Sequence, residues 1–164
     1  SYETEDVDFE LINEFPNLII SRSFSKAYGL AGFRIGYSVS TKEVADLLNR
    51  IRQPFNANSL ALIAAETALK DREHMEKSLK TNIEQKELLY KGLDNLGFEY
   101  IASAANFICF DCKQNSQEMY KKLLQESVIV RSMEVYKMLN HLRVSIGTPE
   151  ENLVFLKKLA KVSN

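Results

Sequence analysis

The chain has 164 residues, 45% of them apolar, with 21 basic against 22 acidic residues and a net charge of −1. Such a composition suits one ordinary globular core or pieces of two, and its balanced charge gives no electrostatic case for nucleic acid or an anionic membrane as partner. No stretch approaches the roughly eighteen consecutive apolar residues of a membrane-spanning helix, and Ser1-Tyr-Glu-Thr-Glu-Asp6 lacks the basic start of a signal peptide, so a cytoplasmic protein is expected.

Residues 1 to 10 are acidic and open no element, and Phe9 to Phe15 reads as a short helix stopped at Pro16. Leu18-Ile19-Ile20 reads as a buried strand that delivers Ser23, Ser25 and Lys26 to its end. Gly29 and Gly32 then let the backbone turn, and Gly36 to Val39 reads as the return strand.

Lysine at such a strand end points to chemistry. A solvated lysine is protonated and a poor nucleophile, but apolar surroundings and a second cation push it toward the neutral amine, which condenses with an aldehyde to form a Schiff base. Ser23, Ser25 and Arg34 supply two hydroxyls and a bidentate guanidinium suited to a phosphate. A cofactor carrying both an aldehyde and a phosphate satisfies the whole set. A plain polar hairpin would account for the glycines but not for Ser23, Ser25, Lys26 and Arg34 together. A nucleotide-binding loop is excluded because no Gly-x-x-x-x-Gly-Lys-Ser/Thr is present and the lysine precedes the glycines.

Beyond the return strand, Thr41 caps a helix whose apolar face is Val44, Leu47, Leu48 and Ile51, ended before Pro54. Pro54 to Asn58 is a linker, in which Asn56 serves the turn or faces a ligand, and Ser59 caps an alanine-rich helix through Leu69. Asp71 to Leu96 is the longest helical pattern, with Met75, Leu79, Ile83, Tyr90, Leu93 and Leu96 on one stripe, its Glu and Lys residues on a solvated face, and Gly97 as C-cap. Strands follow at Phe98 to Ala102 and Asn106 to Asp111, then a helix from Ser116 to Gln125 and strands at Val128 to Arg131 and Leu142 to Ile146. This alternation describes helices over one face of a sheet.

In the last strand, period-two alternation puts Leu142, Val144 and Ile146 on the core side and Arg143 on the other, outward or into a cleft. Thr148-Pro-Glu-Glu151 follows as a capping box, with Leu153, Leu156 and Ala160 packing the final helix. Cys109 and Cys112 lack the second pair of a zinc site and the helix of a redox motif, so Cys109 reads as a core residue and Cys112 as a partly exposed thiol. His74 and His141 have no partners at a metal or triad spacing.

The pattern Ser-x-Ser-Lys-x-x-Gly-Leu-Ala-Gly-x-Arg-x-Gly-Tyr, from Ser23 to Tyr37, resembles the pyridoxal-phosphate lysine motif of fold-type I aminotransferases. Leu142-Arg-Val-Ser-Ile-Gly-Thr-Pro-Glu-Glu-Asn152 resembles the corresponding stretch of the histidinol-phosphate aminotransferase family. The resemblance implies an α/β fold: the end of a large mixed-sheet domain over residues 1–80, truncated at its start, and a small α+β C-terminal domain over 81–164. It implies amino-group transfer between histidinol phosphate and the glutamate/2-oxoglutarate pair, in histidine biosynthesis, with pyridoxal 5'-phosphate as a Schiff base on Lys26. By the same resemblance Ser23, Ser25 and Arg34 hold the cofactor's phosphate and Tyr2 touches its phenolic oxygen. Arg143 grips the substrate's anionic end, with Arg131 beside it and Asn106 next to the substrate. The partners implied are a small amine, a 2-oxo acid and a second subunit of a homodimer.

The family's glycine-rich phosphate loop and its pyridine-pairing aspartate do not precede Lys26 here. The chain is therefore expected to be the C-terminal part of a subunit, inactive when isolated. Aromatic amino acid aminotransferases and threonine-phosphate decarboxylases share the lysine loop and stand as alternatives, and a catalytically silent folded fragment is the reading from another class.

Overall fold

In the computed structural model, which describes residues 8–163, apolar side chains gather into two cores and the chain divides into two units between Ser78 and Leu79. Tyr2 lies outside the described residues.

The first unit contains α1 (Leu11–Glu14), β1 (Ile20–Ser23), β2 (Gly36–Val39), α2 (Lys42–Ile51), α3 (Ser59–Lys70) and the start of α4 (Arg72–Asn95). β1 and β2 form an antiparallel pair in which Ile20 faces Val39 and Ser23 faces Gly36. The strand thus begins at Ile20, later than the apolar run Leu18 to Ile20 suggests, because pairing with β2 sets its limits; Ile19 is left 45% exposed. The core under this hairpin is Phe24, Ile35, Ala61 and Ala65, with Tyr28, Leu30 and Ala57 packed against it. Alanines on the inner face of α3 let its backbone approach the Phe24 ring closely, since they carry no bulk beyond Cβ.

Thr41 caps α2 as expected, its Oγ1 accepting the Val44 N–H. The apolar face it begins is largely uncovered, with Leu47 and Ile51 both exposed. The cap of α3 is Asn58 rather than Ser59: its Oδ1 accepts the Ala61 N–H at 2.8 Å, and Ser59 is already helical.

The second unit contains the rest of α4, β3 (Tyr100–Ile101), β4 (Phe107–Asp111), α5 (Ser116–Gln125), β5 (Arg131–Ser132), β6 (His141–Ser145) and α6 (Pro149–Ser163). The four strands lie in the order β3-β4-β6-β5, every neighbouring pair antiparallel. Ile108, Phe110, Leu142 and Val144 project from one face into a core shared with Leu89 and Leu93 of α4, Met119 and Leu123 of α5, and Phe155 and Leu159 of α6. Phe110 stacks edge-on against both Phe98 and Phe155, and the layer is helices over one face of a sheet.

Several boundaries differ from the sequence reading. Asn115, not Ser116, caps α5, accepting the Gln117 and Glu118 N–H groups, while Ser116 is buried with its hydroxyl 2.8 Å from that of Ser132. In α6 the buried face is Asn152, Phe155 and Leu159, so Leu153 is exposed; the capping box sets the helix phase, and Phe155 rather than Leu153 meets the sheet. The box itself forms as expected, with Thr148 N–H donating to Glu151 Oε2 at 2.8 Å and Glu151 N–H to Thr148 Oγ1 at 3.3 Å. Gly97 ends α4 at φ 74°, and the Phe98 N–H reaches back to the Leu93 carbonyl at 2.9 Å.

Candidate active site

Every predicted cofactor residue among those described lies at the end of β1 or in the loop that joins it to β2. Phe24, 3% exposed, is the pin of that loop: its N–H donates to the Ile35 carbonyl, its own carbonyl accepts the Leu30 N–H, and its ring packs on Tyr28 at 4.9 Å. Ser23 and Ser25 flank it, and Ser23 Oγ accepts the Ser25 N–H at 3.0 Å. Lys26 follows, its carbonyl accepting the Gly29 N–H. Lys26 is exposed, not enclosed by apolar side chains as the sequence reading had it.

The returning arm carries a feature that the glycines concealed. Gly29 adopts φ 71° and is needed at its turn, whereas a side chain at Gly32 would meet open space. The second left-handed residue is Arg34 itself, at φ 52°. This conformation is costly for a residue with a Cβ. Its guanidinium is oriented locally, Nη1 donating to the Ala31 carbonyl at 2.9 Å. Gly36 sits so near the other arm that a Cβ would come 2.6 Å from the Arg22 carbonyl oxygen. The Phe24–Ile35 hydrogen bond extends the ladder one step past Ser23 and Gly36, so Ser25 and Arg34 are the next residues on the two arms.

The second unit holds the other predicted group. Arg143 lies on the helix-free face of the sheet, as alternation requires, and its guanidinium stands 4.7 Å from the centre of the Phe107 ring. On one side of it in register is Cys109 of β4, and on the other Arg131 of β5. Burial pushes the Cys109 thiol pKa up, against the lowering influence of Arg143. Two guanidiniums on neighbouring strands of one face form a cationic pair suited to an anion. Asn106 stands just before β4, its carbonyl accepting the Ile146 N–H at 2.9 Å. Continued alternation sets it on the side of Ile108, away from the arginine row.

Sequence reasoning missed the polar side chains of α4. Asn82, Gln85 and Lys86 are all buried, Lys86 at 2% exposure, although Lys on an amphipathic helix reads as solvated. Asn82 Nδ2 donates to the Ala105 carbonyl, Lys86 Nζ donates to the Ser103 carbonyl at 2.7 Å, and Tyr90 Oη accepts the Ser103 N–H at 2.8 Å. No spacing signal betrays them, since Asn82 and Lys86 bond backbone carbonyls, and Gln85 the Asn152 side chain, all far along the chain. Cys112 is also corrected: it is 2% exposed, its thiol donating to the Asn140 carbonyl at 2.9 Å, so it is a buried structural residue. Among the described residues, no group of three or more His, Cys, Asp or Glu is placed to hold a metal, and no helix is long and apolar enough to cross a membrane.

A family described as aminotransferase class I and II matches residues 3–159. The chain therefore belongs to the aminotransferase class I and II family, and its fold is that of the fold-type I aminotransferases. It is 50% identical over 153 residues to histidinol-phosphate aminotransferase 1 of Idiomarina loihiensis, an alignment covering 93% of this chain and 42% of that protein. Among solved structures it resembles histidinol-phosphate aminotransferase from Sinorhizobium meliloti in complex with pyridoxal-5'-phosphate, with TM-score 0.83, 28% identity, and coverage of 90% of this chain and 41% of that one. It also resembles L-threonine-O-3-phosphate decarboxylase from Porphyromonas gingivalis, with TM-score 0.79, 28% identity, and coverage of 98% and 51%. The chain thus spans about two-fifths of the length of the curated relative it matches. Pyridoxal phosphate is the cofactor of this family.

Proposed function

We propose that the protein is a pyridoxal-phosphate-dependent aminotransferase that moves an amino group between histidinol phosphate and the glutamate/2-oxoglutarate pair, in histidine biosynthesis. The observation that carries this reading is the 50% identity to a histidinol-phosphate aminotransferase across nearly the whole chain. The donor set of the β1–β2 loop suits the cofactor: an exposed primary amine, two hydroxyls and a guanidinium on one short hairpin mouth. When bound, pyridoxal phosphate supplies an electrophilic carbonyl and a conjugated ring that accepts an electron pair from the substrate carbon.

The chain's residues do the rest. Lys26 would supply the amine that holds the cofactor and the group that moves a proton at the substrate carbon. Ser23, Ser25 and Arg34 would hold the phosphate, and the fixed hairpin would keep that anchor still. Arg143, with Arg131 beside it, binds the anionic end of the substrate, whether the phosphate of histidinol phosphate or a carboxylate of 2-oxoglutarate, since a guanidinium donates to the oxygens of either. One cationic pair then serves both half-reactions. The enzyme acts as a cytoplasmic homodimer, and neither nucleic acid nor membrane takes part.

The test is expression from the complete reading frame, with pyridoxal phosphate added and the absorbance of protein-bound cofactor recorded for the parent and for Lys26→Ala. A lysine-dependent band and turnover of histidinol phosphate with 2-oxoglutarate are expected; a band that survives Lys26→Ala refutes the assignment. The likeness to the threonine-phosphate decarboxylase supports a second reading, carbon dioxide release from an amino acid phosphate. Preference for phenylalanine would instead point to an aromatic amino acid aminotransferase. Rates with the three substrates side by side separate these readings.

A further inference from the structure

We propose that Gln85 and Lys86 are positioning residues for Arg143, acting on the two chain segments, the exit of β6 and the entry of β4, that meet at one end of the strand pair that carries it. This inference rests on the reading of Arg143 as the anion-binding arginine.

The two residues are neighbours on α4, both buried; Lys86 bonds a backbone carbonyl directly, and Gln85 reaches the backbone through the Asn152 side chain. Gln85 Oε1 accepts a hydrogen bond from Asn152 Nδ2 at 3.1 Å. Asn152, 2% exposed, brackets Gly147 from both sides, its Oδ1 accepting the Gly147 N–H at 3.0 Å and its Nδ2 donating to the Gly147 carbonyl at 3.1 Å. Gln85 therefore fixes the exit from β6, four residues after Arg143. Lys86 holds the Ser103 carbonyl, and the same short segment is closed by Ser103 Oγ accepting the Ala105 N–H at 3.1 Å. That segment leads directly into Phe107, whose ring lies beneath the Arg143 guanidinium. Asn106, between them, accepts the Ile146 N–H and ties the two segments together.

Packing alone does not call for these side chains. A methionine would fill the space of either on the core face of α4 without the desolvation cost that a buried amide or ammonium carries. A buried polar group costs little only when its partners are held in place, so such a pair rigidifies what it bonds. Here the two bonded segments adjoin β6, which carries Arg143, and β4, which carries the ring under it. Small errors in an anion-binding arginine weaken binding because a bidentate contact demands direction as well as distance.

The experiment uses the protein from its complete reading frame, with 2-oxoglutarate as the probe, binding measured by calorimetry and backbone mobility by amide hydrogen exchange. Gln85→Met and Lys86→Met are each expected to weaken 2-oxoglutarate binding by roughly three- to tenfold, the range that one lost hydrogen bond carries. Exchange should quicken at Gly147 for the first variant and at Ala105 for the second. Gln85→Glu, which keeps an oxygen for Asn152 Nδ2, should restore binding to within about twofold. Where a methionine variant does not fold, Gln85→Asn, which withdraws the amide by one methylene, carries the same expectation. Folded variants that bind 2-oxoglutarate like the parent overturn the proposal, even with a lowered melting temperature. Arg143→Gln separates the two levels. If it binds like the parent, the functional reading fails; if it alone loses binding, only the positioning role fails.

Discussion

Arg131 and Arg143 stand directly opposite one another on β5 and β6, like charges in register on the helix-free face of the sheet. Such a pair is destabilising by itself and is relieved by an anion between the two guanidiniums. Arg143 is partly compensated by the Phe107 ring, so Arg131 is the better residue to remove. Arg131→Gln is expected to leave the unliganded melting temperature unchanged or slightly raised, and to shrink the rise that 2-oxoglutarate produces in the parent. At a hundred times the dissociation constant that ligand would contribute about 2.7 kcal/mol to the parent. Calorimetric scans with and without ligand decide it, and an undiminished rise in Arg131→Gln would remove Arg131 from the site.

Glu126 joins the end of α5 to α6 through Lys158 at 2.7 Å and Lys161 at 2.6 Å. Hydrogen bonds from Lys158 first and Lys161 second lower its carboxyl pKa from 4.5 to about 2 in the folded chain. A lowered folded value means that the charged form is favoured by folding, so the contribution is complete above the unfolded value and is lost as pH falls from 4.5 toward 2. Glu126→Gln should therefore be less stable than the parent at neutral pH, and the two unfolding midpoints should converge as the solution is acidified across that interval. A gap that stays constant from pH 7 to about pH 2 would contradict the ion-pair account.

Cys109 and Cys112 are both buried, and burial pushes both thiols up from their ordinary values. A buried, protonated thiol is inert. An aromatic disulfide reagent should modify neither in the native protein, and both should react at the rate of unfolding in denaturant. Cys112→Ala should cost about 1 kcal/mol, the scale of a small cavity, because the Asn140 carbonyl keeps the Cys112 N–H as a donor.

Gly36→Ala tests the hairpin that carries Lys26. The added methyl would lie 2.6 Å from the Arg22 carbonyl oxygen, a backbone atom that cannot move without parting the strands. A loss of about 1–3 kcal/mol is expected. Retention of pyridoxal phosphate, followed by its absorbance, should fall as well. Gly32→Ala meets nothing and should be nearly silent in both measurements.

What could be read from the residues was whatever depends on neighbours in the chain. Thr41, the Thr148–Glu151 box and Gly97 are local devices, and each forms as its residue types require. The caps of α3 and α5 slipped by one residue for an equally local reason: in Asn58-Ser59 and Asn115-Ser116 two competent capping residues stand side by side, and the asparagine takes the role in both. Leu153 failed because periodicity cannot say which of two apolar neighbours faces a sheet contributed by distant strands. The left-handed backbone of Arg34 was hidden by the glycines around it. The burial of Lys86 was hidden because only the folded chain brings Ser103 to it. Arg143 could be set on its face by alternation, yet Arg131 as its direct neighbour required the strand order.

The strand order carries one more consequence. β6, near the end of the second unit, is an inner strand of the sheet, flanked by β4 and β5, and it is made after both. During synthesis, β3 and β4 can meet as soon as they leave the ribosome, but β5 has no partner until residues 141–145 emerge. A frameshift or proteolytic cut just before His141 would not trim an edge. It would remove the middle of the sheet and leave β5 without a neighbour, so such truncated products should be cleared by the cell rather than persist as shortened but folded chains.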